Sequence, residues 1–161
     1  VPFVGGTASP RDLGLAYAML GSRDGNAVYI DRGFQLLKEA TAAGTADAQA
    51  IAYLAQFYRD RKDDAHALPL YEQAWRMDPA QPAVAAALGA YQMQYGNFDA
   101  AISYWNKALA MNPTLLLVRA NLAAALVRTG QTAQAEAVLR KALEFNPSFQ
   151  PATEMLNRIA K

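Results

Sequence analysis

PAVAAALGAYQMQYGNFDAAISYWNKALAMNP, from Pro82 to Pro113, decides the fold, because a copy of this stretch lies on either side of it at one fixed spacing. Pro79, Pro113 and Pro147 stand 34 residues apart, and each follows an acidic or amide residue, Asp78, Asn112 or Asn146. The same interval of 34 links Leu88 to Leu20, Leu54 and Leu122, so one leucine recurs four times without an insertion. A period in this range marks a repeat array, whose units each form a supersecondary element unable to bury its apolar side alone.

The neighbours of that leucine show what each unit is. Gly21, Ala55, Gly89 and Ala123 follow it directly. Further along come Gly33, Ala67, Ala101 and Ala135, and then Ala40, Ala74, Ala108 and Ala142. Small residues at regular places let two helices approach until their backbones nearly touch, while Leu, Tyr or Trp fills the space between. Each unit therefore reads as helix, tight turn, helix.

At this point the chain resembles the tetratricopeptide repeat family, whose 34-residue period and W-x2-L-G-x2-Y, A-x3-F, P pattern match the central copy at Leu88, Gly89, Ala101, Trp105, Ala108 and Pro113. The likeness covers about Gly14 to Pro147. It departs from the pattern in places. The large residue three before the leucine is Tyr17 or Ile51 early on, but Ala85 or Arg119 later. The aromatic four after it is Tyr58 in one copy only, and Tyr91 with Tyr95 is expected to fill that volume in the third. Thr45 stands where the first closing proline would be. The resemblance implies an all-α fold, an α-solenoid in which antiparallel helix pairs wind into a right-handed superhelix. The expected repeats span about 14–47, 48–81, 82–115 and 116–149, with a capping helix at 149–160, all within a domain at 10–161.

Composition agrees with one compact domain. At 161 residues, 53% of them hydrophobic, the chain is long enough to bury a continuous core. The net charge is +1 from 15 interspersed basic and 14 acidic residues, which gives no footprint for a polyanion, so neither nucleic acid nor an anionic membrane is an expected partner. No apolar run approaches the roughly 20 residues of a membrane-spanning helix. The expectation is a soluble bacterial protein of the cytoplasm or periplasm, with the compartment open. The absence of cysteine excludes disulfides, thiolate catalysis and cysteine-ligated zinc or haem within these residues.

The opening VPFVGGTASP lacks the basic flank and apolar core of a signal peptide, and residues 1–9 read as a linker or scar inside a longer protein. Ser9, Pro10 and Asp12 mark a first helix that should run to about Ser22, before the turn residues Arg23, Asp24, Gly25 and Asn26. The second helix is expected near Tyr29 to Ala43, closed by a left-handed Gly44. Helices follow at about Ala48–Arg61, Ala65–Met77, Pro82–Tyr95, Phe98–Met111, Leu115–Thr129 and Thr132–Phe145. Pro69 is placed in or near the first turn of its helix, where it costs least. Ser148 is expected to cap the last helix, whose Met155, Leu156 and Ile159 face inward and whose Glu154, Asn157, Arg158 and Lys161 face water.

Chemistry-bearing clusters are sparse. The segment DRKDDAH groups Asp60, Asp63, Asp64 and His66, but Arg61 and Lys62 neutralise it and no second cluster completes a coordination shell, so it reads as a solvated turn. His66 is the only histidine, and no serine sits on the strained elbow that a nucleophile needs. Gly89 and the Gly5-Gly6 pair lack the strand-then-helix context of a phosphate loop. Tyr71, Trp75, Phe98, Tyr104 and Trp105 recur at helical spacing and read as packing rather than as a stacking platform for bases. No catalytic residue, metal or cofactor is assigned, and the chain reads as a non-catalytic interaction module.

By resemblance, the first helix of each pair lines the concave side of the array. Carried onto this sequence, Met19, Tyr53, Ala87 and Asn121 form a ladder at intervals of 34. The expected peptide groove comprises Gln49, Tyr53, Gln56, Ala87, Ala90, Met93, Leu117, Asn121 and Arg128, with an alanine-rich floor and with Arg128 at the rim. Its expected occupant is an apolar or amphipathic segment of another protein, or of a neighbouring copy through self-association, with little effect of salt. The positions that hold acidic chaperone tails in some members are here Ala18, Ser22, Tyr53, Ala83 and Ala87, or one repeat on Ala52, Gln56, Ala87, Leu117 and Asn121. Neither set carries a cationic donor, so such a tail is not expected to bind. A second reading makes the segment a regulatory or positioning part of a larger enzyme or of a multihaem-cytochrome-like electron-transfer protein, since bacterial arrays of this kind often accompany such chains.

Overall fold

The computed structural model describes residues 8–160, so most of the expected linker lies outside the described residues. Among these residues there are nine helices and no strand. They are α1 (Pro10–Asp24), α2 (Ala27–Ala42), α3 (Ala48–Asp60), α4 (Asp64–Met77), α5 (Pro82–Gln94), α6 (Phe98–Met111), α7 (Leu116–Arg128), α8 (Thr132–Phe145) and α9 (Gln150–Ile159). The fold is all-α and of the α-solenoid class, with each pair a helical hairpin.

The ends of the helices follow from local chemistry. Ser9 accepts from the Asp12 N–H at 3.2 Å, as its position before Pro10 implies. Asn26 accepts from the N–H groups of Val28 and Tyr29 at 3.0 and 3.2 Å, which starts α2 two residues before Tyr29. Arg23 and Asp24 are helical rather than part of the turn, because Gly25 closes α1 in the left-handed conformation, φ 64°. Asp47 caps α3 through Ala50 and also meets the Arg11 guanidinium from α1. Burial works against the Asp47 carboxylate, but the Arg11 and Ala50 donors outweigh it and hold the carboxyl below its usual range.

Two expectations fail at this level. Pro69 is the sixth residue of α4, past the first turn, so it withholds an N–H from the Ala65 carbonyl inside the helix. Ser148 does not cap α9. Its N–H donates to Asn146 Oδ1 at 3.0 Å, and Phe149 precedes the helix without a side-chain cap.

The turns inside the last three pairs share one construction. Gly96 and Gly130 have φ 77°, and the following amides, those of Asn97 and Gln131, reach back to Gln92 and Leu126 carbonyls at 2.8 Å. That is the six-to-one closure of a helix end. One period earlier the same bond joins Asp63 N–H to the Tyr58 carbonyl at 2.9 Å, yet the left-handed residue is Lys62, φ 59°. Between pairs, Asp78, Asn112 and Asn146 are extended, the conformation that a following proline imposes. The first pair lacks that proline and ends on left-handed Gly44 instead.

The chain divides into two compact units, residues 1–78 and 79–161. In the first, α1 packs on α2, α2 on α3 and α3 on α4, with α1 also touching α3. Leu15, Ala18, Leu37, Ala50, Leu54 and Phe57 form its core, with Phe34 and Tyr58 stacked edge to face beside it. In the second, contacts run from α5 through α6, α7 and α8 to α9, with α5 also touching α7. All twelve small residues of the repeat pattern are buried. Gly89 shows why: a methyl group there would sit 2.5 Å from Trp105 Nε1. The indole N–H in turn donates to the Ala86 carbonyl at 3.1 Å.

The recurrent leucine is buried at Leu54, Leu88 and Leu122, but Leu20 is 38% exposed, since no helix pair precedes α1 among the described residues. Tyr91 fills the aromatic volume of the third repeat, whereas Tyr95 is exposed. Of the five aromatics read as packing, Tyr71 and Trp105 are buried and Trp75, Phe98 and Tyr104 are half-buried.

Candidate functional site

The groove residues fall on both units, and each set is described within its own. On α3, Gln49, Tyr53 and Gln56 share one face by their spacing of four and three residues. Gln49 is exposed, Gln56 is half-buried, and Tyr53 packs against the core of the first unit. One turn on, the Arg59 guanidinium stands 5.5 Å from the centre of the Tyr71 ring. Burial pushes the Tyr71 hydroxyl up to about 12, with Arg59 working the other way.

In the second unit the first helices of successive pairs, α5, α7 and α9, enclose a cleft of about 300 Å³. Met93 comes from α5, Ala124, Val127 and Arg128 from α7, and Met155, Arg158 and Ile159 lie on α9. Met93 and Arg128 were predicted groove residues, and the cleft brings them together. Arg128 lines the wall rather than the rim. Its guanidinium carbon stands 4.7 Å from the centre of the Phe98 ring. Leu117 and Asn121 lie further along α7, both exposed, with Leu117 at 69%.

The alanine floor needs correction. Ala90 is exposed, but Ala87 is 3% exposed and Ala120 is 7%, so both are packed into the protein and offer almost no surface. A ladder drawn at intervals of 34 treats Ala87 as equivalent to Asn121, although a short side chain so placed is covered by its neighbours while a longer one reaches out. Sequence reasoning also left Met155 and Ile159 as inward-facing parts of a cap. They are half-buried and line the cleft, a role that the helical spacing of 155 and 159 signals once α9 is seen as a further first helix.

A second opening of about 390 Å³ lies in the first unit, between Lys38, Thr41 and Ala42 of α2, Leu54 and Tyr58 of α3, and Ala65, His66, Pro69 and Leu70 of α4. None of the predicted residues lines it. At its edge His66 stacks on Tyr58 with ring centres 4.9 Å apart and meets Asp63 at 2.8 Å. The His66 hydrogen bond holds the Asp63 carboxyl below its usual range. No three His, Cys, Asp or Glu side chains come together in a metal-binding arrangement among the described residues, and none of the described helices is long and apolar enough to cross a membrane.

Helical hairpins stacked at a 34-residue period, closed by left-handed turns and sealed by a small-residue seam, define a repeat protein of the hairpin type. Two sequence profiles described as tetratricopeptide repeat match residues 48–77 and 92–159, and the chain belongs to the tetratricopeptide repeat family. No curated protein matches it. Similar solved structures include MamA AMB-1, 26% identical with a TM-score of 0.62 over 85% of this chain and 76% of that one. The first such domain of Spaghetti (RPAP3), bound to an HSP90 peptide, is 21% identical with a TM-score of 0.63, covering 71% of this chain and 93% of that one. YrrB, a member with an unusual peptide-binding site, is 17% identical with a TM-score of 0.69, covering 89% and 74%.

Proposed function

We propose that this chain is a non-catalytic protein-interaction module, and that the cleft between α5, α7 and α9 receives an apolar or amphipathic segment of another protein. The observation that carries this reading is the lining. Met93, Ala124, Val127, Met155 and Ile159 converge from three helices on a cleft of about 300 Å³, the lower end of the range for ligand pockets. Val127 is 40% exposed, so it gives up water when a partner covers it. Helix-in-groove docking uses apolar anchors one turn apart against such a surface. The peptides held by RPAP3 and YrrB support an interaction role by analogy of fold alone. Gln49, Tyr53 and Gln56 on α3, and Leu117 and Asn121 on α7, are proposed as further contacts; an acidic chaperone tail is not the proposed ligand, because the groove positions named above carry no cation.

The test is selection of a displayed random-peptide library on the full chain, followed by affinity measurement for the enriched peptides. Val127→Glu should abolish binding while circular dichroism stays unchanged, since the new carboxylate is solvated until a partner buries it. Ala87→Glu is unsuitable, because it would bury a charge in the free protein. Enriched peptides that bind parent and Val127→Glu alike would remove the cleft from consideration. Tight, salt-sensitive binding of a free acidic tail peptide would overturn the exclusion of such tails.

A further inference from the structure

Resting on the docking reading above, we infer that the segment this cleft accepts carries a carboxylate beside its apolar anchor, and that Arg128 and Arg158 receive it. The charges that line the cleft are these two arginines, one from the last turn of α7 and one from α9. No acidic side chain lines it. Arg158 has a neighbour in Glu154, but at 3.9 Å and with both groups exposed the pair is a weak one. Arg128 forms no ion pair among the described residues. Its guanidinium lies over Phe98, and an aromatic face engages the flat side of a guanidinium while leaving the N–H edge free.

An oriented guanidinium edge beside an apolar wall suits a planar, bidentate acceptor, which a carboxylate is. A basic partner would meet two like charges there. A wholly apolar one would bring its own surface against both guanidinium groups and desolvate them without compensation. The occupant that matches is therefore a peptide in which an Asp, a Glu or the chain terminus lies within a turn or so of a Leu, Met, Phe or similar side chain.

The experiment uses acid-bearing peptides enriched by the library selection, each paired with a version in which the acid is replaced by its amide. Binding of the acidic peptide to the parent chain should exceed that of the amide version by about tenfold, and Arg128→Gln should lose a similar factor, as charged hydrogen bonds of this kind allow. The two losses should overlap, so that Arg128→Gln no longer distinguishes acid from amide. Arg158→Gln should show the same pattern more weakly.

If peptides bind in a Val127-dependent way, but acid and amide versions bind the parent equally, the carboxylate inference fails and apolar docking stands. If no enriched peptide depends on Val127, both readings fail together. A concentration-dependent dimer in sedimentation, abolished by Val127→Glu, would replace the foreign segment by a second copy of this chain and overturn the inference.

Discussion

At the scale of single residues, two side chains set measurable limits. Gly89 lies under the Trp105 indole with no room for a methyl group, and the indole is fixed by its bond to Ala86. Gly89→Ala should cost about 1–3 kcal/mol in urea unfolding, the usual penalty for overpacking, even though alanine is the better helix former. A neutral or stabilising effect would contradict the close crossing of α5 and α6. Tyr71 makes a prediction in pH. Burial raises its hydroxyl from 10.0 to about 12, so between those values the unfolded chain ionises while the folded one keeps its proton. Folding then weakens as pH rises through that window, by about 2–3 kcal/mol in all, and the full contribution is present below pH 10. Comparing Tyr71→Phe with the parent over this range isolates the effect; parallel stability curves for the two would show that the hydroxyl is not buried as described.

At the scale of elements, the turn at Lys62 stands out against its equivalents Gly96 and Gly130. A residue with a Cβ pays about 1–2 kcal/mol in the left-handed region. A glycine gives back about 0.5–1 kcal/mol through its freer unfolded chain. Lys62→Gly should therefore stabilise the protein by about 1 kcal/mol, seen as a raised melting temperature, and a fall instead would mean that the Lys62 side chain contributes more than its backbone costs. The same turn shows what the sequence makes legible. Helix number, pairing and the small-residue seam could be read because they repeat, and a repeat is tested against itself three times. The groove was legible only in part. Met93 and Arg128 could be placed by period and resemblance, but Ala87 could not, because whether an alanine lies at the surface depends on how far its neighbours reach over it. The role of Met155 and Ile159 was hidden for a related reason: α9 has no second helix after it to complete a recognisable pair. Pro69 was misplaced through a boundary, since the Asp63 cap starts α4 early enough to leave that proline in the second turn.

At the scale of the whole molecule, contacts run from each helix to its neighbours rather than to a common centre, and the two units have their own cores. In such an array stability is close to a sum of repeat and nearest-neighbour terms. Leu139→Ala, at a site with 0% exposure, should cost about 2–5 kcal/mol, and hydrogen exchange should speed up in α7, α8 and α9 well before α1 and α2. Equal loss of protection along the entire chain would mean one indivisible folding unit. The two tryptophans provide a way to watch this. Trp75 belongs to the first unit and Trp105 to the second, so each half of the chain contains its own chromophore. Trp105 is 1% exposed and hydrogen-bonded, and its fluorescence should be blue-shifted while α5 and α6 remain together and turn red when they part. In a Trp75→Phe protein the emission spectrum becomes an optical gauge of the second unit alone, built into the seam that Gly89 opens.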